Sequence, residues 1–321
     1  MFLLFIISFC VESTIGELIT DFNSIQHQPR KFNRKLFVVV ENDREIKIAN
    51  EHNDRIDQII IKGFSIDSIQ TGIPKVQGVW NYSINSKERF AHIKFDNFVN
   101  IINLSFEIAN SIVEFVKKYN LDGICLEGLE NVFYITGRSS RDVRLILRRI
   151  GIELHNINKK VYVIIPPRSV AISGTTINSL QNYIDEFIID TTDYYSKSLH
   201  SSHCSSPLMY VENLIKDCTS KNKELKSMTS ISIDLSGYKF CPNYPRSSIN
   251  ITSFQTILHN LTNSTWIEEC QEHSFKDPNN CEIMFPTIEY IEKRINLASQ
   301  EGLDITLYHI ESAHPNIFDL F

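Results

Sequence analysis

Glycine and proline are scarce in this chain of 321 residues, with 11 and 10 copies. That scarcity excludes a fibrous or low-complexity protein. A basic surplus is lacking too: 32 Lys and Arg face 38 Asp and Glu, for a formal charge of −6. Without it there is no electrostatic footprint for a nucleic acid. The basic run PRKFNRK at 29–35 reads as a solvated arm ahead of the first strand. No repeat of 20–50 residues is visible, and no GxSxG elbow, zinc spacing or phosphate-binding glycine loop occurs. No cofactor and no metal are therefore expected. HSSHC at 200–204 lacks a second ligand pair and reads as a polar loop.

Hydrophobic residues, at 42%, are present in sufficient number for a large core. Residues Phe2 to Val11 form an apolar run too short to span a bilayer and of the length of a signal-peptide core. Small residues at Thr14 and Gly16 suit cleavage near Gly16. The expected organisation is a signal peptide over 1–16, an arm over 17–35 and a folded unit over 36–321. That implies a secretory-pathway protein, secreted or endolysosomal, with no membrane span after cleavage.

Removing Cys10 leaves Cys125, Cys204, Cys218, Cys241, Cys270 and Cys281, an even number that fits an oxidising compartment. Local pairs Cys204–Cys218 and Cys270–Cys281 are expected, with Cys125 a buried free thiol. Sequons at Asn81, Asn103, Asn250, Asn260 and Asn263 agree with secretion, although capping explains Asn103 equally well.

Short β-branched runs alternate with amphipathic stretches. Strands are expected at 35–41, 55–63, 75–83, 121–127, VYVIIPP, 186–192, 230–238 and 304–310. Ile102, Phe106, Ala109, Val113 and Val116 are spaced as one helical face. RDVRLILRRIGIELHNIN, SPLMYVENLIKDC and PTIEYIEKRINLASQEG read as further helices, the last with Pro at its start and Gly at its stop. Strands alternating with helices imply a parallel sheet, and eight of them imply closure. The fold class is thus α/β, a (β/α)8 TIM barrel. Its first part is irregular, with short links from strand one to two and from two to three. Residues 241–285 read as a small α+β insertion between strand seven and the last long helix.

Function in such a barrel collects at the C-terminal strand ends. Those ends supply Trp80, Tyr82, Glu127, Glu130, Arg168, Asp190, Asp193, Tyr194, Tyr238, Tyr308 and His309. Rings stack on apolar sugar faces while carboxylates bond hydroxyls, so acids mixed with aromatics suit a saccharide groove. Trp80, Glu127, Glu130, Asp193, Tyr194, Tyr238 and Tyr308 are the ligand candidates.

The chain resembles glycoside hydrolase family 18, the chitinase family. Its fourth strand carries DGxDxDxE, and Asp122-Gly123-Ile124-Cys125-Leu126-Glu127-Gly128-Leu129 stands in that frame. VYVIIPP, FIIDTTDYYS, SIDLSGYKF and MFPTIEYIEKRINLASQEGLDITLY follow in family order, and the resemblance covers roughly 36–321. It implies substrate-assisted hydrolysis, in which the last acid of the motif protonates the leaving oxygen. The motif here is degenerate. Alternation sends positions 125, 127 and 129 into the barrel, where Cys125, Glu127 and Leu129 stand, and Leu129 cannot donate a proton. Losing a general acid forfeits a factor of about 10²–10⁴. Thr192 replaces the strand-six tyrosine, and Tyr308 replaces the terminal tryptophan as an aromatic floor. The resemblance is nearest to a chitinase-like branch, and it implies affinity for saccharides and for a scavenger-type receptor.

The leading expectation is a non-catalytic chitinase-like protein that binds oligosaccharide, with no catalytic residue. One alternative is a weak hydrolase using Glu127, or Glu130 swung inward by a bulge. Another is a protein-interaction scaffold with a vestigial groove.

Overall fold

The computed structural model describes residues 25, 29–67, 74–95, 104–129, 140–167, 173–192, 194, 204–220, 222–242, 244–258 and 263–321. In chain order the barrel half comprises β1 (Leu36–Val40), α1 (Asp43–Glu51), β2 (Gln58–Asp67), β3 (Lys75–Gln77), β4 (Glu88–Phe95), α2 (Ser105–Tyr119) and β5 (Gly123–Glu127). It continues with α3 (Ser140–His155), β6 (Lys160–Ile165), α4 (Gly174–Asn178), β7 (Glu186–Ile189), α5 (Leu208–Thr219) and β8 (Thr229–Asp234). An inserted unit follows: β9 (Gly237–Phe240), β10 (Ser247–Ile249), α6 (Ile251–Leu258), β11 (Asn263–Ile267), β12 (Glu272–Lys276) and β13 (Glu282–Met284). Helix α7 (Ile288–Glu301) and β14 (Asp304–Tyr308) complete the chain order.

The main sheet has nine strands in the order β1-β14-β8-β7-β6-β5-β4-β2-β3, and β1 pairs with β2 as well. Strand β3 is antiparallel to β2 and lies outside the ring. Nine less one leaves eight parallel strands in a closed barrel. Strand order and closure agree with the expectation. The identity of the third barrel strand does not. It is β4, while KVQGVWNYS contributes only the short outer strand β3. The link from β1 to β2 also carries a helix, α1, capped by Asn42, whose Oδ1 accepts the Glu45 N–H at 3.0 Å. From β2 to β4 no helix occurs among the described residues, so the irregularity lies there.

Alternation gives the barrel two core layers. Phe37, Val39, Ile60, Phe90, Cys125, Tyr162, Ile164 and Ile188 fill the interior. Their neighbours in sequence, among them Val38, Ile61, Ala91, Ile124 and Val163, pack outward in the layer shared with the helices. The interior stacks Phe90 on Tyr162 with ring centroids 4.4 Å apart. Helix α2 buries Ile108, Ala109, Ile112, Phe115 and Val116. Its stripe is therefore rotated from the one expected. Phe106 is exposed with Arg149 over its ring, and Ile102 is outside the described residues. Helix α7 starts on Thr287, whose hydroxyl accepts the Tyr290 N–H, and stops at Gly302 with φ 73°.

Asp122 and Gly123 open β5 under tight constraint. Asp122 Oδ2 accepts the Arg89 N–H at 2.9 Å. A Cβ on Gly123 would lie 2.3 Å from Phe90 and 2.6 Å from the Lys160 carbonyl oxygen. Gly123→Ala is expected to cost about 1–3 kcal/mol through overpacking. Urea unfolding reads this as a lowered midpoint at unchanged slope, and an unchanged midpoint would contradict the close approach.

The inserted unit is a five-stranded antiparallel sheet in the order β10-β9-β13-β12-β11. Its disulfides are Cys204–Cys270 and Cys241–Cys281, which corrects both expected pairs. Cys218 lies buried on the inner face of α5 as a free thiol, where it cannot reach Cys204. Cys204 instead meets the turn after β11, where Leu208 N–H also donates to the Cys270 carbonyl. Cys125 is free and buried, as expected.

Candidate functional site

The barrel mouth is built by one rule. Inward-facing residues recur every second position, and on seven of the eight strands the position that follows the inner core is polar or aromatic. Val39 is followed by Glu41, Ile60 by Lys62, Phe90 by His92, and Cys125 by Glu127. Ile188 is followed by Asp190, Ser232 by Asp234, and Thr306 by Tyr308.

Register then joins neighbours. His92 pairs with Cys125 and Lys94 with Glu127 across β4 and β5. His92 Nε2 stands 2.8 Å from Glu127 Oε2, with the His92 side chain almost fully buried. That contact holds the Glu127 carboxyl below the usual carboxylate range against the opposing effect of burial, with Lys62 and Lys94 adding to it. Lys62 pairs with Glu41 and sits 5.2 Å from the Tyr308 ring centroid. Burial keeps the Tyr308 phenol protonated.

Across the mouth, Tyr308 pairs with Asp234 in the β14–β8 ladder. Burial works against ionisation of Asp234, yet four donors outweigh it. Its Oδ1 accepts Ser236 N–H at 2.9 Å, Ser236 Oγ–H at 2.7 Å and His309 Nδ1–H at 2.8 Å. Its Oδ2 accepts the Tyr238 hydroxyl at 2.5 Å. The Asp234 carboxyl is thus held below its ordinary value, and that hydrogen bond raises His309 above the ordinary histidine value. His309 adopts φ 54°, the left-handed turn that carries its ring back over Asp234. Asp190 is satisfied locally, accepting Thr192 Oγ1–H at 2.6 Å and Thr192 N–H at 3.0 Å.

Of the expected site residues, Glu127, Tyr238 and Tyr308 meet at this mouth. Glu127 stands against His92 rather than Tyr194, and Asp193, the other expected neighbour, lies outside the described residues. Cys125 lies below it inside the barrel. Leu129 departs from the expected inward placement. Gly128 takes φ 85°, which breaks the alternation, and Leu129 packs in the outer layer with Ile124 and Leu126, 1% exposed. Trp80 is likewise displaced, because its segment is not a barrel strand. It stacks on Phe64 at 5.8 Å, and Phe64 meets Phe115 of α2 at 5.1 Å, so it belongs to the outer layer. Tyr194 packs on Tyr210 of α5, 4.6 Å between centroids.

Glu130, Asp193, Arg168, Asn103 and Asn260, along with the proposed signal peptide, lie outside the described residues. Asn81 sits in the extended segment before β4, Asn263 opens β11, and Asn250 caps α6, accepting Ser253 N–H at 2.9 Å. Among the described residues no helix is long and apolar enough to cross a membrane, and no cluster of three metal-ligating side chains occurs.

Sequence reasoning missed Glu41, Lys62, His92 and Asp234. Each lies two positions beyond an inward residue; counting alternation to the end of the expected strands would have found Glu41, Lys62 and Asp234, while His92 lies on β4, a strand the sequence reading missed.

What the mouth can do follows from these contacts. Glu127, the one carboxylate of the degenerate motif that faces inward, is stabilised as the anion. Leu129 offers no proton. Hydroxyl-rich ligands find acceptors at Glu127 and Glu41, donors at Lys62 and His309, and a ring face at Tyr308.

No family model matches the sequence. The fold is similar to that of the spore cortex-lytic enzyme SleL of Bacillus megaterium, with a TM-score of 0.73, 13% identity, and coverage of 92% of this chain and 75% of that one. It is similar to a chitinase from Chromobacterium violaceum, with a TM-score of 0.73, 9% identity, and coverage of 89% and 97%. A mutant class V chitinase from Nicotiana tobaccum in complex with NAG4 matches with a TM-score of 0.68, 10% identity, and coverage of 89% and 97%. At such identities the likeness is one of fold: this chain is a closed eight-stranded barrel of the architecture those chitinases use.

Proposed function

We propose that the chain is a chitinase-like member of glycoside hydrolase family 18 that holds an oligosaccharide at its barrel mouth without cleaving it. The observation that carries this reading is position 129. Where the motif places its proton donor there is a leucine, packed into the outer layer behind Gly128. The neighbouring Glu127 is pinned by His92 and favoured as an anion, the wrong state for a general acid. The neighbour crystallised with NAG4 supports a saccharide as the ligand class. Within the family, the degenerate motif and the HPNIFDLF segment resemble those of chitinase domain-containing protein 1, and this likeness supports a chitinase-like branch as the chain's place. That resemblance brings secretion, glycosylation at the sequons and a scavenger-type receptor partner into the same proposal.

The test is calorimetry and product analysis with the N-acetylglucosamine tetramer. Saturable binding is expected, weakened roughly ten- to a hundredfold by Tyr308→Ala and retained by Tyr308→Phe. The tetramer is expected to come through prolonged incubation intact. Release of shorter sugars that is lost in Glu127→Gln or Glu130→Gln would establish the hydrolase instead, and absence of any glycan binding would favour the scaffold.

A further inference from the structure

His309 stands at the mouth with one of its two ring nitrogens engaged. Nδ1 donates to Asp234 Oδ1 at 2.8 Å, and among the described residues nothing bonds Nε2. The His309 side chain is 42% exposed, and its ring centroid lies 6.5 Å from that of Tyr308, within the reach of one sugar unit. The two nitrogens of an imidazole sit on opposite sides of the ring. Anchoring it through Nδ1 therefore turns Nε2 away from Asp234.

That anchor fixes the chemistry of the free nitrogen. Asp234 is buried, and Ser236 and the Tyr238 hydroxyl occupy the rest of its carboxylate. An ionised carboxylate can only accept, so the proton on Nδ1 stays there whether the ring is charged or neutral. The two states of His309 then differ at one atom. Charged, Nε2 carries a hydrogen and donates. Neutral, it carries a lone pair and accepts. A sugar hydroxyl is satisfied by either state, because it can donate or accept. A carbonyl oxygen meets a donor in the first state and a lone pair in the second.

We infer that His309 is the specificity-determining residue of the barrel mouth, donating from Nε2 to the acetamide carbonyl oxygen of an N-acetylated sugar stacked on Tyr308, and releasing that group when the ring loses its charge. The inference rests on the saccharide reading of the mouth given above.

The surrounding charges set the direction of the pH dependence. The hydrogen bond to Asp234 raises His309 above the ordinary value of 6.5 against the opposing effect of burial. Glu41 at the end of β1 adds to the rise, and Lys62 of β2 opposes it. Glu45 of α1 is buried, which pushes its carboxyl up, and Glu311 just beyond β14 adds to that. Burial keeps the Tyr238 and Tyr308 phenols protonated. Binding that needs the charged ring is thus fully present below pH 6.5 and is lost as pH rises through the higher value of His309.

Calorimetry of the full-length protein with the N-acetylglucosamine tetramer, from about pH 5 to about pH 9, tests this on both sides of the ordinary histidine value. Affinity is expected to fall roughly ten- to a hundredfold over the titration of His309, with protons taken up on binding in that interval. His309→Asn suits the left-handed backbone at φ 54° and keeps a short donor for Asp234, but has no outer nitrogen. It should bind weakly at every pH. Nitrogen NMR of the free protein should show the neutral His309 ring protonated at Nδ1. A flat wild-type profile, a fall that survives His309→Asn, or a neutral ring protonated at Nε2 overturns the inference and leaves the saccharide site standing. No tetramer binding at any pH sinks the saccharide reading, and this inference with it.

Discussion

Arg294→Met is expected to lower stability by about 3–5 kcal/mol, because it strands a buried charge. Arg294 and Glu272 have side chains 2% and 3% exposed and stand 3.2 Å apart. Arg294 also donates to the Tyr290 carbonyl at 2.9 Å and to the Ser206 carbonyl, and lies over the Tyr290 ring at 3.4 Å. Glu272 in turn accepts Ser205 N–H at 2.9 Å and Ser206 N–H at 2.8 Å. Burial pushes the Glu272 carboxyl up, and Arg294 is the largest influence that holds it down. Taking the guanidinium away leaves the carboxylate with two backbone donors and no countercharge. The pair joins three pieces: the inserted strand β12, the segment before α5, and α7. Its loss should therefore loosen the insertion from the barrel. Urea unfolding measures the effect. The double variant Arg294→Met/Glu272→Leu should recover much of it, and a single-variant loss below about 1 kcal/mol would show the ion pair to be incidental.

At the floor of the barrel the second large effect is a dependence on pH. Glu186 is fully buried, neither of its carboxylate oxygens meets a hydrogen-bond donor among the described residues, and Asp304 beside it is as deeply placed. Burial first, and then Asp304, push the Glu186 carboxyl well above its ordinary value. Lys35 opposes this from 3.9 Å, but its side chain is 48% exposed and well solvated, so burial prevails. Arg34 also lowers Glu186, Asp185 raises it slightly, and Asp304 is itself raised by burial.

The folded state therefore keeps a proton that the unfolded chain has released. Stability from this group is fully present below the unfolded value and is lost as pH rises toward the folded one, at about 1.4 kcal/mol per pH unit for one proton. Glu186→Gln carries no such proton. The variant should overtake the wild type as pH rises above about 4.5, with the gap widening up to neutral pH. Parallel stability curves for the two proteins would refute a buried neutral Glu186. Glu127 and Asp234, both held low, act with the opposite sign, and the wild-type-minus-variant difference removes them.

Seven barrel strands were legible as short apolar or β-branched runs between amphipathic stretches. The eighth was not. ERFAHIKF faces inward with Phe90, His92 and Lys94, and opens on Glu88, which pairs with Lys160 at the barrel floor. Polar residues that find partners inside the barrel erase the continuous hydrophobic run of a doubly buried strand. KVQGVWNYS has a better strand composition and was preferred, which carried Trp80 to a false position at the mouth. Leu129 was misplaced for a different reason. Alternation holds only while the backbone remains extended, and one glycine at φ 85° ends it. The disulfides were illegible because pairing follows the three-dimensional path, with partners 66 and 40 residues apart. Glu127 and Tyr308 were legible as mouth residues. Their pairing with His92 and Lys62, on other strands, required the register.

The ring is closed by β1 against β14, where Leu36 pairs with Ile305, and the Lys31 and Phe32 N–H groups reach the Phe321 carbonyl. This seam has a kinetic meaning. A contact between such distant parts of the chain costs the most loop entropy and forms late. During synthesis β1 and β8 therefore remain open borders of an unfinished sheet until the final strand emerges, each offering unpaired backbone to any passing chain. The last stretch of sequence is the clasp of the molecule. The interval before it fastens is when the nascent protein is most exposed to misassembly.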